Sequence, residues 1–146
     1  MLPHFFTDDH LELLELLNKH QVDFLLVGGI AVNYYGYARS TGDIDLLFRA
    51  DDDNATRLHR ALSEFFGDGV PELSGPDDLL EPGLIFQIGV PPHRVDFINE
   101  ISGVEFETAW QHRLEEDIEN HDITISIIHL DDLLTNKQAS GRAKDI

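Results

Sequence analysis

The sequence predicts an α/β (α+β) fold, and three observations carry that prediction. Two apolar runs too short for helices, Phe24–Val27 and Ile44–Phe48, are bounded by turn-forming residues, as buried strands are. Other segments repeat apolar residues at helical spacing, among them Leu11, Leu14 and Leu17, and then Ala55, Leu58, Ala61 and Leu62. Ile123, Ile125 and Ile127 alternate strictly with polar neighbours, the period of a half-buried strand. Helix and strand signals interleave along the chain, and 146 residues suffice for one core but not for two. A single domain over 1–146 is therefore expected.

Taken in order, Thr7 is placed to cap a first helix, with Asp8 and Asp9 favourable at its positive end and Leu11, Leu13, Leu14 and Leu17 facing inward up to His20. Phe24–Val27 follows as a buried strand. Gly28 and Gly29 then open a short helix that runs to about Tyr35 and is closed by Gly36. The segment 39–42 turns the chain into the strand Ile44–Phe48. Asp51, Asp52 or Asp53 caps a longer helix whose stripe is Ala55, Leu58, Ala61, Leu62, Phe65 and Phe66. Residues 67–83, with Pro71, Gly75, Pro76 and Pro82, read as loop with one helical turn, either lying over a site or merely connecting. Strands over 84–90 and 93–98 are joined by a tight turn at Pro91-Pro92, which makes them antiparallel neighbours. A short helix at Phe106–His112, a strand within 118–128 and a helix at Leu130–Ala139 complete the chain.

Composition narrows the function classes. Twenty-eight acids face ten bases, for a formal net charge of −18. That charge is either a highly solvated surface or a feature that turns polyanions away; both make nucleic acid a disfavoured partner without excluding it. No cysteine occurs, so disulfides and thiolate metal sites are absent. No apolar run approaches the ~20 residues needed to cross a bilayer, and the first residues lack the pattern of a signal peptide, so a cytoplasmic location is expected. The eight histidines show no zinc-pair spacing and read as surface or packing residues.

The chemistry concentrates around Gly28 to Leu46. Asp43 and Asp45 are two apart, so on a strand they share one side while Ile44 and Leu46 turn to the other. Two like charges ~4 Å apart repel by roughly 4 kcal/mol near a protein surface, against about 5–15 kcal/mol of net stability for a whole domain. A divalent cation would cancel that repulsion, and oxygen-only ligands select Mg²⁺ or Mn²⁺. Gly28 and Gly29 lie where a strand gives way to a helix, a place at which backbone can approach phosphate oxygens. Asp96, between Val95 and Phe97, is either the exposed position of an alternating strand or a third carboxylate beside the first two.

The run Gly28-Gly29, a short helix, then Arg39-x-Thr41-x-Asp43-Ile44-Asp45-Leu46 resembles the nucleotidyltransferase superfamily, which includes polymerase-β-like and aminoglycoside enzymes. The approach Gly36-Tyr37-x-Arg39-x-Thr41 looks most like the small AbiEii-like bacterial members. In element order the resemblance covers most of the chain, with about twenty-five residues carrying its specificity. It implies the nucleotidyltransferase fold, a mixed, antiparallel-rich sheet flanked by helices. The implied reaction moves a nucleoside monophosphate from an NTP, ATP among them, to an acceptor that is a small molecule, a protein or RNA. Asp43 and Asp45 would hold two Mg²⁺ or Mn²⁺ ions on the triphosphate, and Asp96 would join one of them and help deprotonate the acceptor. Gly28 and Gly29 would pack backbone against the phosphates, and Arg39 and Thr41 would donate to phosphate oxygens.

The tail has two readings. Lys137, Arg142 and Lys144 are explained by the helix dipole alone. Yet Lys137-x-x-x-x-Arg142-x-Lys144-Asp145 also resembles a late motif of AbiEii-like proteins, in which Lys137 would contact triphosphate and Asp145 would act on the acceptor hydroxyl. Family members continue with a further helix, so the chain is either truncated or a minimal version. The rival to an enzyme is an inactive or regulatory module that partners a toxin or antitoxin. A minimal enzyme of this length would need a lid that another chain could contribute, and a homo-oligomer is left open.

Overall fold

The computed structural model describes residues 6–36, 43–90 and 93–141. Its core is a six-stranded sheet, strand order β3-β4-β2-β1-β6-β5, formed by β1 (Phe24–Val27), β2 (Ile44–Phe48), β3 (Ile85–Ile88), β4 (Val95–Ile98), β5 (Leu114–Asp117) and β6 (Thr124–Ile127). Among the described residues five α-helices accompany it: α1 (Asp8–Lys19), α2 (Gly28–Tyr34), α3 (Asp52–Phe66), α4 (Phe106–His112) and α5 (Leu130–Ala139), with a 3₁₀ turn at Pro76–Leu80. The sheet is mixed. Antiparallel pairs β1–β2, β3–β4 and β5–β6 are joined by two parallel pairs, β2–β4 and β1–β6.

The two central strands are apolar on both faces. Every residue of β1 is buried, and in β2 only Asp45 is partly exposed. Both faces of such strands must be covered. On the sequence side of that requirement, α1 packs on α3, while α2 lies against β1, β2 and α5. Thr7 caps α1 as expected, and His10 returns the favour: its Nδ1 accepts from the Thr7 N–H, so the capping box is closed by a histidine. Asp51 is the residue that caps α3, accepting from the Asn54 N–H at 2.8 Å. Gly67, at φ +85°, ends that helix, and Phe66 just before it is exposed rather than part of the buried stripe.

Three strand expectations shift. β3 and β4 are shorter than 84–90 and 93–98, because Gly89 adopts φ +82° and the chain leaves the sheet there. Within 118–128 only Thr124–Ile127 is strand; Ile118 is buried in the turn before it. β5 was not foreseen at all. Its sequence, Leu-Glu-Glu-Asp, opposes strand propensity, and it exists as an edge strand by pairing with β6. The Pro91-Pro92 turn lies outside the described residues.

No helix among the described residues is long and apolar enough to cross a membrane.

Candidate active site

Parallel pairing of β2 with β4 sets Asp45 directly beside Asp96. Register partners on neighbouring strands point to the same side of a sheet, so the two carboxylates share one surface. Asp43, one residue before β2, lies two positions from Asp45 and meets them at the strand's start. The third acid expected beside the first two is therefore placed there by the sheet itself. Asp96 is also buried, one of four buried polar or charged residues among those described; the others are His10, Asn54 and Lys137. It is not the exposed position of an alternating strand.

Among the described residues, two cations attend the three acids. Arg94 spans them: its Nε donates to Asp96 Oδ1 at 2.9 Å, and its Nη2 lies 3.3 Å from Asp96 Oδ2 and 3.2 Å from Asp43 Oδ2. The backbone helps, since the Ile44 N–H donates to the Arg94 carbonyl at 2.9 Å and so ties the arginine to the start of β2. Lys137, buried on α5, is the second; its ammonium favours the ionised form of Asp45. These cations do not fully offset the acids. The Asp45 carboxyl is pushed up to about 6, first by burial and then by the charges of Asp96 and Asp43, with Lys137 and Arg94 opposing.

Gly28 explains why its position carries no side chain. It holds φ +70°, and a Cβ there would overlap the Asp45 carboxylate, lying 2.9 Å from its Cγ. In the structure, then, the glycine makes room for an acid of the site. Gly29 follows as the second residue of α2. The helix is further anchored by its two tyrosines. Tyr34 Oη donates to Glu116 on β5 at 2.5 Å, and Tyr35 Oη donates to the Ile128 carbonyl at 2.6 Å. Both phenols are pushed up to about 12, Tyr34 chiefly by its bond to Glu116 and Tyr35 by burial.

Of the residues singled out in the sequence, Gly28, Asp43, Asp45, Asp96 and Lys137 come together, with Gly29 next to Gly28. Arg39, Thr41, Arg142, Lys144 and Asp145 lie outside the described residues. Arg94 was missed. The signal was present, because Arg94 stands two residues before Asp96 and so faces the same side of an extended chain.

As the side chains stand, no group of three or more histidine, aspartate or glutamate residues among those described is disposed around a metal position. Asp43 and Asp96 face the Arg94 guanidinium instead. The donor set nevertheless fits a hard divalent cation: three carboxylates brought together, oxygen-only.

Residues 6–146 match a family of nucleotidyltransferases of unknown function, DUF6036. The chain belongs to that family. Its structure is also similar to the crystal structure, at 1.87 Å, of a presumed nucleotidyltransferase from Thermotoga maritima. The two are 14% identical and superpose with a TM-score of 0.56 over 92% of this chain and 83% of the other, a likeness of fold. A comparison with curated proteins returned no significant match. The family and the mixed sheet with its helices together make this a nucleotidyltransferase-class chain with the nucleotidyltransferase fold.

Proposed function

We propose that this DUF6036 chain transfers a nucleoside monophosphate from an NTP to an acceptor hydroxyl at the centre formed by Asp43, Asp45 and Asp96. The observation that carries this reading is the Asp45–Asp96 register pair, joined by Asp43, with the Asp45 pKa raised by burial and then by the charges of the other two acids. Three carboxylates crowded on one side of a sheet cost stability in a cation-free state, which suits them to a ligand that restores neutrality. Asp43, Asp45 and Asp96 would hold Mg²⁺ or Mn²⁺, two ions on the family resemblance. When bound, those ions would supply positive charge to the triphosphate and to the departing pyrophosphate.

The chain's own residues divide the remaining work. Lys137, buried beside Asp45, is placed to meet phosphate oxygens once the carboxylates are neutralised. Asp96 accepts the acceptor's proton at a carboxylate oxygen as the hydroxyl oxygen bonds to the α-phosphorus. The α–β bridging bond breaks, and pyrophosphate leaves with the electron pair. Arg39 and Thr41 belong to this reading as phosphate donors, and Asp145, with Arg142 and Lys144, as late-motif residues near the acceptor. A net charge of −18 favours a small-molecule or protein acceptor over a nucleic acid.

Incubating the protein with each labelled NTP, Mg²⁺ and a cell extract tests the reading. Label should pass to an acceptor, and the double variant Asp43→Ala, Asp45→Ala should abolish transfer. One observation favours a second reading, a catalytically silent module of the toxin–antitoxin kind: Arg94 already occupies two of the three carboxylates. Under that reading Mg²⁺ with NTP leaves the thermal unfolding midpoint unmoved, and a partner protein co-purifies without transfer activity.

A further inference from the structure

The guanidinium of Arg94 stands where charge must be supplied, and it stands there on only two carboxylates. Its Nε and Nη2 engage both oxygens of Asp96, at 2.9 and 3.3 Å, and the same Nη2 reaches Asp43 Oδ2 at 3.2 Å. Such a fork-to-carboxylate arrangement is charge-assisted and geometrically specific. Asp45, between Asp43 and Asp96 in the sequence, sits instead against Gly28. The arginine side chain is 29% exposed, so it can leave the carboxylates for solvent without opening the core. Its anchor is the backbone bond from Ile44, which does not depend on where the guanidinium points.

We propose that Arg94 is a positioning residue that holds Asp43 and Asp96 together in the cation-free protein and competes with the divalent cation for those same two carboxylates. The inference rests on the metal-site reading above and adds to it a gate. A cation entering the centre must displace the guanidinium from oxygens it would itself bind. The occupied site thus gains a mobile positive charge at its rim, and the empty site is kept from flying apart by repulsion between its acids. A purely architectural arginine makes the opposite demand: removing it would misplace the carboxylates and weaken cation binding.

Titration of the full chain with Mn²⁺ alone, followed by calorimetry or by the electron paramagnetic resonance of free Mn²⁺, separates the two. R94Q should bind Mn²⁺ about tenfold more tightly than the parent, the scale of one charge-assisted hydrogen bond. Its thermal midpoint without cation should fall, and Mn²⁺ should raise it by more than in the parent. R94K, whose ammonium engages one carboxylate at a time, should tighten binding by less; if R94Q does not fold, R94K decides by the same sign. Mn²⁺ bound by the parent but equally or less tightly by the variants overturns this proposal and leaves the metal site standing. Mn²⁺ bound by neither overturns both.

Discussion

At each end of β2 a guanidinium lies between two carboxylates, and the two settings differ in what surrounds them. At the far end Arg49 pairs with Asp23 and, through two nitrogens, with Glu107 at 2.6 and 3.1 Å. It also lies 5.0 Å and 5.2 Å from the ring centroids of Phe106 and Trp110, which stack on one another. Arg57 approaches Asp23 at 3.8 Å, and the charge of Asp51 acts on Arg49 as well. Beneath them the fully buried Asn54 accepts from the Asp23 N–H and donates to the Asp23 and Arg49 carbonyls. At the near end, among the described residues, three acids meet Arg94 and Lys137, and burial together with the charges of Asp96 and Asp43 raises the pKa of Asp45. An ion pair alone therefore says little about function. A buried carboxyl whose ionised form is disfavoured, rather than the ion pair itself, is what separates a place for a ligand from a structural clamp.

The comparison can be broken from either side. The largest expected effect is on transfer: Asp96→Asn should lower its rate by about 10²–10³-fold, the usual scale for losing one group from an electrostatic centre, with circular dichroism unchanged. Asn54→Ala strikes the other end. It leaves buried backbone groups of Asp23 and Arg49 without partners and should cost about 2–3 kcal/mol in denaturant unfolding, while Mn²⁺ affinity stays at the parent value. If Asn54→Ala instead abolishes cation binding, the two ends are not separable in the way described.

Gly28→Ala sharpens the near end. A side chain at φ +70° costs about 1–2 kcal/mol in any setting, and here it also displaces the Asp45 carboxylate. Gly36→Ala is the control, since Gly36 holds φ +93° with nothing within 4 Å of an added Cβ. Only the first should change Mn²⁺ affinity.

The smallest effect is one of pH. Asp45 titrates near 6 when folded and near 3.8 when unfolded, so between those values the folded state binds more protons. Its contribution favours folding below pH ~4 and is lost as pH rises through about 6. Allowing for the partial exposure of Asp45, the loss is about 1–2 kcal/mol in cation-free buffer. Asp45→Asn should remove this slope and unfold at a higher temperature than the parent at pH 7.5, though not at pH 4.

How much of this was legible beforehand follows from where each residue gets its instructions. β1, β2, α4 and α5 fall at the bounds their own patterns dictate, because burial on both faces or on one stripe is written locally. Asp96 could be suspected from its place between Val95 and Phe97, but its partnership with Asp45 depends on β4 crossing over to lie parallel to β2. β5 was invisible for the opposite reason: three of its four residues are acids, and its strand conformation is imposed by β6. Arg94 escaped attention although it lay within the expected strand 93–98, two residues from Asp96, because its link to Asp43 depends on β4 lying beside β2. Phe66 was assigned inward by periodicity alone, yet it is the last residue of α3, directly before the Gly67 that ends the helix, and it is exposed.

The crossover from β2 to β4 has an evolutionary consequence. Both strands carry an acid of the site, and a shift of one residue in either would swing its carboxylate through the sheet. The connection between them, by contrast, carries none of the three acids. Over residues 67–83 it holds to the body chiefly through the 3₁₀ turn at Pro76–Leu80 and its buried Leu79. Insertions and deletions can accumulate in that stretch without moving any of the three aspartates, so lineages can diversify what reaches the centre while the centre itself is inherited unchanged.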